Sequence, residues 1–434
     1  MQRNLSAQDR RTLFLASLGG ALEFYDFIIF VFFAKTIGAL FFPPDIPEWL
    51  RQLQTFGIFA AGYLARPIGG VLMAHFGDRV GRKQMFMLSV LLMAVPTLLI
   101  GSLPTYATVG LAAPVLLLLL RILQGAAVGG EVPGAWVFVS EHVPEHRVGL
   151  ACGVLSAGLT VGILLGSLVA GAVHALWTTE QVLGGYWRVP FILGGLFGLL
   201  ALWLRRYLHE TPVFKELQQR RALAQGLPIG RVLAGHRASL LRSIVFSWLL
   251  TAGIVIVILM TPTLAQTAGG IPAATALHAN SWATLGLAIS CILYGFAADR
   301  FGVRKVTIVG ALLMFAAALL LFQVVTKAPE HFTAAYVLAG TCVGVVGIVP
   351  VWLVRAFPAA IRYSGVSFSY NVAYAISGGL TPLIVTLWLR SHPHAPAYYV
   401  GVVALVAVLA VVSDSLCVKK QDFRVDASQQ RTPG

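Results

Sequence analysis

Apolar residues in this chain gather into runs close to the length that crosses a bilayer as a helix, among them 88–103, 109–120, 240–260 and 400–412. Cutting the chain at charge clusters and Pro/Gly-rich breaks leaves twelve such segments. They run at about 13–33, 55–76, 84–104, 110–140, 149–176, 187–207, 240–266, 278–298, 306–326, 332–354, 364–390 and 398–418. The pattern predicts an all-α, polytopic membrane protein. The first segment contains Glu23 and Asp26 and lacks a small-residue cleavage site, so it is expected to stay as a helix rather than be removed as a signal peptide.

Composition agrees with this reading. Of 434 residues 58% are hydrophobic and 11% charged, against roughly 25% charged in soluble domains. The net charge of +14 would suit a nucleic-acid partner if the basic residues formed one surface. They follow topology instead. With the N-terminus inside, 24 of the 31 Lys and Arg fall in cytoplasmic tails and loops, five in outer loops (Lys35, Arg51, Arg188, Lys327, Arg390) and two, Arg66 and Arg121, within spans. Both termini are therefore expected in the cytoplasm, with the lipid bilayer and no nucleic acid as partner. Trp49, Trp177 and Trp388 fit an outer interfacial belt. Cys152, Cys291, Cys342 and Cys417 lie in or beside apolar segments and read as packing residues rather than disulfides.

The chain repeats itself at half length. Gly77-Asp78-Arg79-Val80-Gly81-Arg82-Lys83 returns 221 residues later, with one insertion, as Ala298-Asp299-Arg300-Phe301-Gly302-Val303-Arg304-Lys305. Pro144…Arg147-Val148-Gly149 is echoed by Pro358…Arg362-Tyr363-Ser364-Gly365. Two landmarks in register imply a duplicated six-helix unit. The expected division is a bundle at 1–207, a cytoplasmic linker with short amphipathic helices at 208–239, a second bundle at 240–418 and a short tail at 419–434. Parallel halves with a site between them at the midplane are the plan of a rocking transporter.

The loop 77–83 holds one acid, three bases and two glycines in a tight turn, which suits a latch in which Asp78 accepts from helix-terminal amides or a facing arginine. Its members would be Asp78, Arg79, Arg82, Lys83, Asp299, Arg300, Arg304 and Arg362. Inside the spans, Glu23, Asp26 and Glu131 are the acids and Arg66 and Arg121 the bases. Intramembrane charges normally face a cavity or one another. A carboxylate in a low-dielectric site holds its proton more tightly and a nearby arginine reverses that, so a pair exposed alternately to the two sides can load and release protons. Asp26 is the first choice as carrier, with Glu23 and Glu131 as further candidates; a structural ion pair is the competing reading. Arg66 and Arg121 offer planar forks to a substrate carboxylate, while Arg66 also suits a structural tie. Phe24, Tyr25 and Phe27, and on the eleventh segment Tyr370, Asn371 and Tyr374, could cage an ammonium group or simply pack. His75 reads as a cap. No metal-ligand cluster, phosphate loop, dinucleotide fingerprint or nucleophile elbow occurs, so neither an enzyme nor a cofactor is expected. Patterns such as Gly158…Gly162…Gly166 read as close helix contacts.

These motifs resemble the major facilitator superfamily, whose signature turn between helices two and three is Gly-Asp-Arg-x-Gly-Arg-Lys. Several stretches resemble its metabolite:proton symporters in particular: 20–27 (Gly-Ala-Leu-Glu-Phe-Tyr-Asp-Phe), 66–70 (Arg-Pro-Ile-Gly-Gly), Arg121…Gln124-Gly125, Gly129-Gly130-Glu131, 186–191 (Tyr-Trp-Arg-Val-Pro-Phe), 210–214 (Glu-Thr-Pro-Val-Phe) and Phe357-Pro358…Arg362-Tyr363-Ser364-Gly365. The resemblance implies twelve helices in two pseudo-symmetric bundles, alternating access, and proton-coupled uptake in a bacterial inner membrane, with Arg121 tuning Asp26. Substrates in that family include α-ketoglutarate, citrate, shikimate, proline and glycine betaine. Two internal arginines lean the expectation towards a small organic acid, a zwitterionic osmolyte being the alternative. An antiport exporter and a non-transporting sensor stand behind these, and a monomer is expected. The family commonly has an acid two residues before Phe357-Pro358 where this chain has Arg355. Residues 419–434 carry no apolar heptad, so osmosensing through a coiled-coil tail is not expected.

Overall fold

The computed structural model describes residues 6–207, 210–219, 228–389 and 391–429. Arg220, Arg221 and Arg390, and the side chains of Glu23, Phe27, Trp49, Arg82 and Cys417, lie outside the described residues. The chain folds into twelve long helices: α1 (Ala7–Phe32), α2 (Glu48–Gly77), α3 (Arg82–Ser102), α4 (Ala112–His142), α5 (Val148–Leu176), α6 (Arg188–Arg205), α7 (237–269), α8 (Ala273–Phe301), α9 (Val303–Lys327), α10 (332–355), α11 (362–389) and α12 (Ala395–Gln429). Ten helices among the described residues are long and apolar enough to cross a bilayer unbroken, and Thr179–Tyr186 with Arg188–Leu204, bent by 50°, makes an eleventh. The remaining one, α11, opens on a polar turn sequence, Arg362-Tyr363-Ser364-Gly365 followed by Ser367 and Ser369. Those groups are buried against the other half of the molecule rather than exposed to lipid.

Helices α1–α6 and α7–α12 form two bundles, joined by a segment containing the short helices Pro212–Gln219 and Pro228–Gly235. Within the first bundle α2 lies along α4 and α1 along α5. Small residues permit this: a Cβ on Gly125 would stand 1.9 Å from the Gly62 carbonyl oxygen, so backbone meets backbone. The halves meet along two seams, α5 against α8 and α11 against α2 and α4. In the first, a Cβ on Gly153 would stand 2.5 Å from the Cys291 carbonyl oxygen. Cys152 and Cys291 are both free and fully buried there.

Three helices depart from α geometry near the middle of the molecule. Wider π turns occupy Gly253–Met260 of α7 and Tyr374–Gly378 of α11, and a tighter 3-10 stretch occupies Gly344–Ile348 of α10. Such irregularities change which residues face inward and gather at functional sites. Here they flank the central cavity, whose wall includes Ile254, Val346 and Tyr374.

Gly125→Val should be costly because no flexible side chain can yield. We expect a loss of about 1–3 kcal/mol or more, seen as a melting temperature several degrees lower in detergent. Gly171→Ala, where nothing lies within 4 Å, should leave melting unchanged.

Candidate functional site

The central cavity, of ≈ 50 Å³, is walled by both halves: Phe24, Trp136 and Ser156 from the first, Cys291, Tyr370 and Tyr374 from the second. Three of its aromatic rings form a connected set. Trp136 meets Tyr370 edge-on at 4.9 Å, and Tyr370 meets Tyr374 at 4.7 Å. Arg66, 2% exposed, lies behind them with its guanidinium carbon 4.6 Å from the Tyr374 ring centre and 5.4 Å from those of Tyr370 and Tyr63. A guanidinium over π faces gains cation–π energy while its charge polarises the tyrosines. The described lining contains no arginine, lysine or acid. Two of its polar atoms, Trp136 Nε1 and Ser156 Oγ, are buried without a hydrogen-bond partner among the described residues. A larger cleft, ≈ 200 Å³, meets the cavity at Ile163 and leads between α1, α5, α7 and α8, past Ser167, Gln266, Asn280 and Thr284.

The other intramembrane charges lie inside the first bundle. Asp26 is 1% exposed and accepts no hydrogen bond from any described residue. Its carboxylate faces Gly194 and Gly198 of α6, which have no side chain to fill that space. Arg121, fully buried, donates to Gln124 Oε1 at 2.9 Å and sits 4.2 Å over the Phe30 ring. Gln124 in turn donates to Thr97 Oγ1 at 2.6 Å. The Thr97 methyl and Asp26 Oδ1 both lie near Gly194. Asp26 and Arg121 are not bonded to each other among the described residues, so the direct pairing that was expected is not formed here. Glu131, 1% exposed on α4, is within electrostatic reach of Tyr370.

Two residues expected at the substrate site are held elsewhere. Tyr25 donates to the Pro190 carbonyl at 3.0 Å and packs on Phe197, acting as a strut between α1 and α6. Asn371 leaves the cavity wall for the seam, donating to the Gly129 carbonyl at 2.6 Å. Ser367 donates to the same carbonyl, and the Tyr363 hydroxyl to that of Gly130 at 2.7 Å. Gly129-Gly130 therefore exposes backbone acceptors to α11. Helical spacing placed Tyr370, Asn371 and Tyr374 on one element but could not separate cavity wall from seam.

At the face carrying the charged turns, the two repeated landmarks engage crosswise. Asp78, at the end of α2, accepts from the Ser364 amide at 3.0 Å and its hydroxyl at 2.8 Å, at the start of α11. Asp299, in the last turn of α8, accepts from the Gly149 and Leu150 amides at 2.7 and 2.8 Å, at the start of α5. Each acid satisfies helix-terminal amides of the opposite half and meets the positive end of that helix's dipole. Arg362 adds an ion pair of 3.0 Å to buried Glu141, which also accepts from Thr211 at 2.8 Å. Glu210 accepts from the Lys83 amide at 3.1 Å, and Lys83 Nζ donates to the Arg206 carbonyl at 3.3 Å. Arg79 meets His75 at 3.3 Å, and Arg300 and Arg304 are exposed. Arg355 crosses the boundary, donating to the Glu145 carbonyl at 3.2 Å. Glu141 and Ser364 are partners in these contacts between halves that the turn motif alone did not reveal, and Glu210 ties the linker to the start of α3.

The buried seam cysteines report on this closure. Asp299→Asn removes the charge from two hydrogen bonds, each worth roughly 1.5–3 kcal/mol when charge-assisted. Alkylation of Cys152 and Cys291 by N-ethylmaleimide, mapped by mass spectrometry, should then be at least tenfold faster than in the native protein. Unchanged alkylation would show that the latch does not hold this seam.

Comparisons with known proteins give a consistent picture. The Major Facilitator Superfamily profile matches residues 17–279. A putative proline/betaine transporter of Staphylococcus aureus (strain COL) is 32% identical over 424 residues, covering 93% of this chain and 87% of that protein. The shikimate transporter of Escherichia coli (strain K12) is 31% identical over 419 residues, covering 94% and 95%. Among solved structures, the MFS proton:xylose symporter XylE bound to 6-bromo-6-deoxy-D-glucose aligns with a TM-score of 0.78 at 18% identity, covering 94% of this chain and 95% of that one.

Proposed function

This chain belongs to the Major Facilitator Superfamily, and we propose that it imports a small zwitterion carrying an ammonium and a carboxylate, coupled to protons, across a bacterial inner membrane. The carrying observation is the central cavity, whose rings come from both halves and whose described lining holds no formal charge. A quaternary or secondary ammonium gains cation–π attraction against Phe24 and Trp136 without a counter-ion. Its carboxylate is served by Trp136 Nε1, Ser156 Oγ and the tyrosines backed by Arg66. Proline and betaine, named in the S. aureus relative, have this chemistry. A dicarboxylate would bring two charges to a cavity with no cation in its described wall, so the lean towards organic acids gives way to the zwitterion. Arg66 behind Tyr374 keeps a single-carboxylate acid, such as that named in the E. coli relative, as the second reading.

With both termini in the cytoplasm, the latched face is the inner one and the cleft past Asn280 opens outward. Substrate then enters from outside and leaves inward once the crosswise bonds of Asp78 and Asp299 part. Asp26 is the proton carrier in this scheme. A buried carboxylate without a partner is costly as an anion, and protonation removes that charge. Two residues along α1, Phe24 lines the cavity. A change in how Asp26 sits against α6 is thereby transmitted to the substrate wall by the helix that carries both.

Proteoliposomes with an internal pH dye test this. Glycine betaine or proline should enter with internal acidification, while citrate and α-ketoglutarate should not. Trp136→Ala should raise KM at least tenfold, in keeping with a desolvated cation–π contact of about 2 kcal/mol. Asp26→Asn should abolish uphill accumulation and retain exchange of internal for external substrate. Uptake of shikimate or citrate with exclusion of betaine would overturn the zwitterion assignment, and accumulation by Asp26→Asn would overturn the carrier assignment.

A further inference from the structure

The second half contains another cavity, away from the central one, of ≈ 340 Å³ between the first turns of α7 and α9 and the end of α10. Arg242, Arg304 and Arg355 enter its wall, one from each helix, beside Ser243 and Trp352, and its described lining contains no acid. The floor is fixed by packing: Trp352 stacks on Phe246 at 4.5 Å and donates Nε1 to Thr307 at 2.9 Å. Two features of the wall call for an acceptor. Ser243 is 1% exposed, and its Oγ has no hydrogen-bond partner among the described residues. Helix α9, of 25 residues, starts after Gly302 at φ +91°, and no side chain caps its first amides.

We propose that this cavity is an oxyanion site that takes a phosphate group. Three guanidinium groups supply planar pairs of N–H donors matched to phosphate oxygens, and the α9 N-terminus adds the positive end of its dipole. The Ser243 hydroxyl supplies a donor to an oxygen at the cavity floor. Both a soluble phosphate ester and the phosphate of an anionic lipid present this chemistry. Arg355 is shared with the boundary between halves, through the Glu145 carbonyl at 3.2 Å. An anion in the cavity competes with that carbonyl for the same guanidinium, so occupancy bears on closure of this face. The site is independent of what the central cavity carries.

The test uses the full-length protein in phosphatidylcholine nanodiscs, titrated calorimetrically with inorganic phosphate and with glycerol 3-phosphate in gluconate buffer. A parallel arm uses phosphatidylglycerol nanodiscs, with retained lipid counted by native mass spectrometry. Native protein should bind phosphate saturably, at least tenfold more tightly than Arg242→Gln/Arg304→Gln and severalfold more tightly than Ser243→Ala. Retained phosphatidylglycerol that is lost in the double variant, without soluble phosphate binding, identifies a lipid headgroup as the occupant and supports the same site. Binding of neither probe, or binding unchanged in the double variant, overturns the proposal. Should the double variant fail to melt cooperatively, Ser243→Ala decides, because it removes a single hydroxyl; unchanged affinity there counts against the site.

Discussion

Everything at the closed face of this molecule depends on a carboxylate meeting the uncapped amides of a helix in the opposite half. Asp78 does this for α11 and Asp299 for α5. The arrangement is economical in an apolar chain: a helix N-terminus is one of the few positive partners available without another side chain. It also explains why the two sequence landmarks recur together. The acid of one repeat and the helix start of the other form a single joint, so each half supplies one component of each joint, and neither landmark has its function alone.

The seams that these joints close are built from backbone. Gly149 and Gly153 lie against Gly295 and Cys291, and Gly129 and Gly130 present carbonyls to Asn371, Ser367 and Tyr363. Contacts of this kind are short and directional, and they are lost together when the surfaces separate by a few ångströms. They favour separation of the bundles as rigid bodies over gradual deformation. Inside the first bundle the contact of Gly62 with Gly125 is equally close, but α2 and α4 belong to the same bundle, so a rigid separation of the halves leaves it intact. The same packing device thus serves a permanent joint within a bundle and a separable one between bundles.

The fold was almost fully legible in the sequence, because segment length, basic-residue placement and a duplicated turn are each set by local rules. The eleventh helix was read like the others, as the segment 364–390 left between charge clusters and Pro/Gly-rich breaks. The site was legible only in part. Asp26, Arg66 and Arg121 stood out because charge is rare in spans, but which neighbour each meets depends on helix rotation, and rotation is fixed by packing that a 3.6-residue period does not specify. Tyr25 and Tyr370 look alike in sequence: the first braces α1 against α6 and the second walls the cavity. Trp136, which completes that wall, sits in a helix that is apolar almost throughout, with nothing local to single it out. Arg355 stands where the family commonly has an acid, so a latch built on that acid was in doubt. It bonds across the same boundary through the Glu145 carbonyl instead.

A latch of several charge-assisted bonds must still be reversible. Its members lie at the end of the bundle beside exposed Arg79, Arg300 and Arg304, where water can replace the bonds that break. The net gain per bond is then roughly 1.5–3 kcal/mol, well below the gross value. A ligand must bind one state about 10⁴-fold better than the other to carry a population from 1:99 to 99:1. A small solute in a cavity of ≈ 50 Å³ offers few contacts from which to draw that difference. Neutralising a buried, unpartnered carboxylate is a contribution of the right size that needs no contact with the solute at all. If Asp26 carries the proton, as proposed, its place in the first bundle, away from the cavity wall but on the helix that carries Phe24, lets the proton and the solute each supply part of the shift without competing for the same atoms.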